Sequence, residues 1–296
     1  MRNISPAWLD LTIVEEAGEA HLGALRHADV LLHVLHPVTA ALMDSAPGLR
    51  LIQKVGVGVD AIDRVAAAAR GIRVTNMPGT NSRAVAEMTL SLMLAVLRRI
   101  VVLDKATREG MGWALSPDTL DLGGEISGRA VGLVGYGAIP RLLAPVLGAL
   151  GARVIYHSRS PAAEAPEGWR SLAALLSESD IVSLHVPLTP DTRTLIGAAA
   201  LASMKPGAIL INTSRGGLVD ESALLDALES GRLQGAGLDV HAAEPLHYPN
   251  PLLGLPNVVV TPHVAWLTPE TWTRSWALAI ENCARLRDGR ELLNQV

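Results

Sequence analysis
The feature that most limits the fold is an alternation of short apolar runs and helical patterns. Continuous apolar runs fall at 131–134, 153–156, 181–184, 208–212, 237–240 and 257–260. Helix signals separate several of them. Asp220 ahead of the segment 221–230, closed by Gly231, reads as N-cap, amphipathic helix and terminating glycine. Apolar runs this short are strands covered on both faces, and strands joined by helices pair in parallel. The expected fold class is α/β, with a doubly wound parallel sheet at its centre.

The first of these runs leads into Gly135-Tyr136-Gly137-Ala138-Ile139-Pro140 and then into a helix. A glycine at 135 permits the tight turn. A second at 137 lets a pyrophosphate approach the backbone, and the free N–H groups of Ala138 and Ile139 open the helix. The motif sits where a strand–turn–helix dinucleotide site needs it, which makes the match specific. Pro140 replaces the third glycine of that fingerprint and is tolerable in a first helical turn. Pro145, deeper in the same helix, is expected to kink or locally open it. An NAD site would place an acid near the end of the next strand, roughly 20 residues on, to hold the ribose hydroxyls. This chain has Tyr156-His157-Ser158-Arg159-Ser160 there, with no carboxylate. Ser158 and Arg159 can instead bond a 2′-phosphate. The expectation is a preference for NADP(H), with NAD(H) as the second cofactor it would accept.

A smaller unit precedes this one. Strands are expected at 28–34, 51–54 and 72–76, with helices around 37–46 and 61–69. One long helix is expected from Ala84 to about Glu109, because its apolar positions are periodic and it lacks internal glycine and proline. A last helix is expected at about 272–287. The natural division is a small domain made of residues 1–82 and 266–296, with a nucleotide domain of 83–265 inserted in it.

Bulk properties narrow the partners. A chain of 296 residues, 49% apolar and 18% charged, is globular and long enough for two domains. A net charge of −4 gives no reason to expect nucleic acid or an anionic membrane. The single cysteine, Cys283, allows no intrachain disulfide and no cysteine cluster for zinc, so no metal site is expected. The longest apolar stretch, 88–97, is about half a membrane span and ends at Arg98-Arg99. The first residues lack the apolar core of a signal peptide, so a cytoplasmic protein is expected.

Three late segments place polar residues just after apolar runs: Asn212-Thr213-Ser214-Arg215-Gly216-Gly217, Asp239-Val240-His241-Ala242-Ala243-Glu244-Pro245, and Thr261-Pro262-His263-Val264-Ala265-Trp266. In an open α/β sheet, ligands gather beyond the carboxyl ends of the strands. Arginine binds a carboxylate in a fork, histidine exchanges a proton near neutral pH, and a neighbouring carboxylate fixes its tautomer.

With Val55-Gly56-Val57-Gly58-Val59-Asp60, Asn76-Met77-Pro78-Gly79-Thr80-Asn81, Val85-Ala86-Glu87-Met88-Thr89 and His185-Val186-Pro187-Leu188-Thr189-Pro190-Asp191-Thr192, these motifs run in order along nearly the whole chain. The chain resembles the D-isomer-specific 2-hydroxyacid dehydrogenases. Its pattern is nearest to the NADP-dependent glyoxylate and hydroxypyruvate reductases among them. The resemblance implies a Rossmann domain inserted in a smaller flavodoxin-like substrate domain. It implies hydride transfer between NADP(H) and a small 2-keto acid or D-2-hydroxy acid. Arg215 would bind the substrate carboxylate, His263 would be general acid and base, and Glu244 would pair with His263. Asp239 would hold the nicotinamide amide. Thr89, Pro187, Thr192 and Thr213 would lie along the cofactor. Lys54 and the backbone at Val57 and Gly58 would meet the substrate. Trp266 departs from the family, which commonly has smaller residues there; it would wall the substrate pocket, pack at a subunit contact or sit in the core. A homodimer is expected, through the long helix and the arm 110–124. Relatives carry a further strand and helix ahead of the equivalent of 11–14, so either a trimmed small domain or a misassigned start is expected. The competing reading is a dinucleotide-sensing, non-catalytic protein like the C-terminal-binding corepressors, which also carry tryptophan after the histidine motif.

Overall fold
The computed structural model describes residues 5–15, 18–117 and 123–296. Contacts divide the chain into two compact units, Met1–Asn81 with Leu267–Val296, and Ser82–Trp266.

In the first unit, β1 (Val30–His33), β2 (Leu51–Lys54) and β3 (Arg73–Thr75) form a parallel sheet in that order. Helix α1 (Gly18–Leu25) precedes β1, and α2 (Ala40–Asp44) and α3 (Arg64–Ala69) connect the strands. Thr39 and Asp63 cap α2 and α3 through their side-chain oxygens, which satisfies free N–H groups of the first turns. Leu25, Val38, Met43, Ile52, Ile62 and Val74 make its core. The C-terminal helix, Pro269–Arg287, belongs to this unit and starts at the side-chain cap of Thr268. A buried polar network ties it down. Asn282 Nδ2 donates to Gln53 Oε1 at 2.7 Å, and Thr75 Oγ1 donates to the same oxygen at 2.8 Å. Cys283, next in that helix, is buried and free, and burial pushes its thiol up to about 11. The expected strand regions are present; the segment 11–14 forms no strand.

The second unit holds β4 (Ala130–Val134), β5 (Arg153–His157), β6 (Ile181–Leu184), β7 (Ala208–Asn212), β8 (Leu233–Leu238) and β9 (Val258–Val260). All pair in parallel, in the order β5-β4-β6-β7-β8-β9. A single parallel bridge from Tyr156 to Trp169 continues the sheet beyond β5. The order reverses at β4, so a crevice opens at the carboxyl ends of β4 and β6. The helices α4 (Ser82–Leu97) and α6 (Ala138–Ala149) cover one face, and bury Leu92, Met93, Leu143 and Leu147 against Val131, Leu133, Ile181 and Ile209. The helices α7 (Leu172–Glu178), α8 (Ala198–Ser203) and α9 (Glu221–Glu229) cover the other. Each of these buried leucines contributes about 1.5–3 kcal/mol.

Three expectations need correction. The long helix is two: α4 ends at Leu97, and α5 (Ile100–Arg108) follows after Arg99, whose φ is 51°. Such a left-handed residue stops a helix without glycine or proline. The reason lies in burial: α4 buries nine residues and α5 none, so the chain must turn out of the core. Strand β8 begins at Leu233 and ends at Leu238, four residues ahead of the expected start and two ahead of the expected end. Gly235 and Gly237 obscured it; a Cβ on Gly237 would meet Leu92 Cβ of α4 at 3.0 Å, so the strand gives up side chains for close helix packing. Helix α6 is continuous through Pro145. Residues 118–122 of the expected dimer arm lie outside the described residues.

Candidate active site
At the carboxyl end of β4, Gly135 has φ +101°, and a Cβ there would lie 2.7 Å from the carbonyl oxygen of His185. Only glycine fits both the turn and that approach. Gly137 caps α6 without a side-chain hydrogen bond, and nothing lies within 4 Å of where its Cβ would be. The N–H groups of Ala138 and Ile139 open α6 next to that unfilled position, a helix start of the kind that could hold a pyrophosphate. Pro140 is buried in the first turn, where its missing N–H removes no intrahelical bond. The end of β5 carries no acid: Arg159 is exposed, and Ser158 Oγ donates to the carbonyl of Ser160 at 2.5 Å. Tyr136 stacks on Tyr156 with ring centroids 3.9 Å apart, which joins the glycine turn to β5. Thr192 Oγ1 donates to the carbonyl of Pro187 at 2.7 Å and shapes the loop after β6. Thr89, wholly buried on α4, bonds Thr213 Oγ1 at 2.9 Å and pins the end of β7. His185 is neutral, since burial pushes it down to about 4, and its ring bonds Ser183.

The His263–Glu244 pair is built on the segments that follow β8 and β9. His263 Nδ1 donates to Glu244 Oε2 at 2.6 Å, and Nε2 takes no part in that bond. The remaining oxygen, Oε1, accepts the backbone N–H of His241 at 2.8 Å. Burial pushes the Glu244 carboxyl up, but the bonds from His263 and from the His241 backbone, and the charges of both histidines, outweigh it and hold the group below its usual range. His263 has φ 57°, a conformation that costs about 1–3 kcal/mol for a residue of this kind. Asp239 offsets that cost. Its wholly buried carboxylate accepts from Thr261 Oγ1 at 2.5 Å and from the N–H groups of Val264 and Ala265 at 2.9 Å, and its carbonyl accepts from His263 N at 2.7 Å. Asp239, expected to hold the nicotinamide amide, is thus engaged in building the histidine turn. Trp266 closes that turn, its indole N–H donating to the His263 carbonyl at 3.2 Å.

Arg215 follows β7. Asn212 shapes its loop, donating to the Arg215 carbonyl at 2.9 Å and accepting from Ser214 N at 3.0 Å. The Arg215 guanidinium donates to the Ser214 carbonyl at 2.7 Å. Gly216 rests on the next loop: a Cβ there would collide with the His241 carbonyl carbon and oxygen and with Ala242 N. Lys54, Val57 and Gly58 belong to the first unit. Lys54 is buried and its Nζ donates to the Val34 carbonyl, while Asn76 Nδ2 holds the Val57 carbonyl at 2.9 Å. Among the described residues no group of three His, Cys, Asp or Glu side chains could hold a metal ion, and no helix is long and apolar enough to cross a membrane.

The family profile described as the NAD-binding domain of D-isomer-specific 2-hydroxyacid dehydrogenases matches residues 90–265, more than half of the chain. The chain belongs to this family. It is an oxidoreductase acting on CH–OH donors. A glyoxylate reductase of Aeropyrum pernix is 42% identical over 280 residues, covering 92% of this chain and 84% of its own. A Thermus thermophilus structure superposes with a TM-score of 0.87 at 45% identity, covering 94% of this chain and 89% of that one. The NADPH-dependent glyoxylate/hydroxypyruvate reductase of Sinorhizobium meliloti, solved with NADP and malonate, superposes at 0.82 with 34% identity, covering 92% and 85%.

In this dehydrogenase, sequence reasoning missed three residues that hold the site. Asn212, Gly216 and Thr261 each fix the path of a functional loop. The signal for Asn212 was present, since a polar residue closing a wholly apolar strand needs a local partner. For Gly216 none was, because its contact is with a loop 25 residues away.

Proposed function
We propose that this dehydrogenase reduces a small 2-keto acid of the glyoxylate or hydroxypyruvate kind to its D-2-hydroxy acid, with NADPH as the preferred cofactor. The observation that carries the reading is the 2.6 Å bond between His263 Nδ1 and Glu244 Oε2, because it leaves a proton-exchanging nitrogen free to face substrate. Ser82–Trp266 is the dinucleotide-binding domain, and Met1–Asn81 with Leu267–Val296 the substrate domain. The Gly135–Pro140 turn takes the pyrophosphate, and Ser158 and Arg159 take the 2′-phosphate. The absence of a carboxylate at the end of β5 supports this preference, as do the NADP-bound neighbours among solved structures. The bound nicotinamide supplies a hydride for the carbonyl carbon. His263, charged and held by Glu244, gives its Nε2 proton to the carbonyl oxygen as negative charge develops there. Arg215 forks onto the substrate carboxylate and stabilises that charge. Trp266, whose indole closes the His263 turn, walls the pocket. The glyoxylate reductases among the relatives favour this enzyme over a dinucleotide-sensing corepressor-like role.

A homodimer is proposed on the apolar side chains that the second unit leaves exposed, Ile100, Val101, Met111 and Trp113. A cytoplasmic setting goes with the free, buried Cys283. The test of the reaction is consumption of NADPH and NADH with glyoxylate, hydroxypyruvate, pyruvate and phenylpyruvate. Faster turnover with NADPH and a small keto acid is expected. Protein that binds NADPH tightly and reduces none of the four would overturn the reading.

A further inference from the structure
His241 lies one loop from the chemistry and has no part in the mechanism above, yet the loops of all three functional side chains meet on it. Its backbone N–H holds Glu244 Oε1 at 2.8 Å, so the carboxylate turns its other oxygen to His263. Its ring Nε2 lies 3.3 Å from the Thr261 carbonyl, two residues before His263. Its own carbonyl carbon and oxygen are what a side chain on Gly216 would strike, so the Arg215 loop rests on the His241 peptide. Glu221 at the start of α9 fixes the following N–H, that of Ala242, at 2.7 Å.

The imidazole is buried, and its Nδ1 has no hydrogen-bond partner. A carbonyl oxygen only accepts, so Nε2 is protonated and donates a hydrogen bond to the Thr261 carbonyl. A buried ring nitrogen without a partner is unfavourable, which makes the imidazole a poor filler. What it offers that a phenyl ring of similar size does not is the Nε2–H. We propose that His241 is a positioning residue, whose backbone N–H, peptide and imidazole register the loops of Glu244, Arg215 and His263 against one another. The inference rests on the dehydrogenase reading of this site, in which the His263–Glu244 pair moves the proton.

The test compares His241→Phe, which removes the Nε2–H at similar volume, with His241→Gln, whose amide restores a donor. In His241→Phe, kcat falls by about tenfold, the loss of one ordinary hydrogen bond expressed as a rate. NADPH affinity, read by fluorescence titration, stays unchanged. The groups facing Glu244 are His263 and His241; with the second replaced and the first loosened, the Glu244 carboxyl rises toward its usual range. The acid limb of the kcat/KM profile therefore moves to higher pH. His241→Gln restores the rate and the limb. A second readout needs no turnover: the low-field proton resonance of the His263–Glu244 bond, present in the parent protein, broadens or is lost in His241→Phe and returns in His241→Gln. A His241→Phe protein with the parent rate, limb and resonance overturns the inference, and so does a His241→Gln protein as impaired as His241→Phe. Should His241→Phe fail to fold, the soluble His241→Asn, which lacks reach to Thr261, takes its place. If the parent protein itself reduces no keto acid, the dehydrogenase reading falls, and the resonance still decides the role of His241 in holding the pair.

Discussion

At the residue scale the proposed function turns on one proton and one phosphate. His263→Ala removes the group that exchanges the proton, and kcat is expected to fall by about 10²–10⁴-fold with NADPH affinity retained. Stopped-flow turnover beside a binding titration separates the two, and an undiminished kcat would falsify the role. Glu244 gives a pH prediction whose sign follows from its environment. Its carboxyl is held below the usual range, so the pair is intact at neutral pH and is lost as pH falls through the lowered value. Activity and the Glu244 contribution to stability should therefore drop together on acidification, and Glu244→Gln should remove that limb from the rate profile. Arg159→Ala should weaken NADPH by about tenfold and leave NADH unchanged, the loss of one charge-assisted bond; equal losses would argue against a phosphate contact. Arg215, Glu244 and His263 were legible in the sequence because each is polar and follows a wholly apolar run. The partners that aim them were not. Asp239 reads as a site acid from its position after β8, whereas the structure engages its carboxylate in three bonds to the His263 turn.

Among the secondary-structure elements, the strands were the easiest to read, since a run buried on both faces leaves a continuous apolar signature. Strand β8 was read late because a strand with two glycines loses that signature when a helix lies close against it. The break between α4 and α5 was not legible for a related reason. It is set by where the core ends and not by a breaking residue, and Arg99 takes a left-handed conformation that glycine adopts more easily. Arg99→Gly is expected to raise stability by up to about 1 kcal/mol in a denaturant titration, and a loss of similar size would show that the arginine side chain matters more than its backbone. Gly216→Ala tests the opposite case. Its Cβ has no room beside the His241 peptide, so the two loops must part. A destabilisation of about 1–3 kcal/mol is expected, with kcat reduced more than NADPH affinity.

For the molecule as a whole, the sequence expectation was a small domain made of both chain ends, and contacts divide the chain into two compact units. The doubly wound parallel sheet was expected too, whereas the switch in strand order at β4 comes from the structure. What the sequence could not carry is the surface that a second copy would cover. Helix α5 buries nothing within its own chain, and Trp113 is 91% exposed. Val101→Glu with Trp113→Asp is expected to convert a dimer to a monomer in sedimentation velocity, and a parent protein that already sediments as a monomer would sink the proposal.

The lone thiol gives the two-unit architecture a practical consequence. Cys283 lies in the first unit only, buried in the C-terminal helix beside Asn282, which is bonded to β2, with a thiol pushed up to about 11. A maleimide can reach it only when that helix lifts from the sheet, so its labelling rate is a clock for opening of one half of the molecule. NADPH held by the other half should leave the clock running at its own pace unless the halves open together. The chain thus carries, without engineering, a reporter of whether its two units unfold as one.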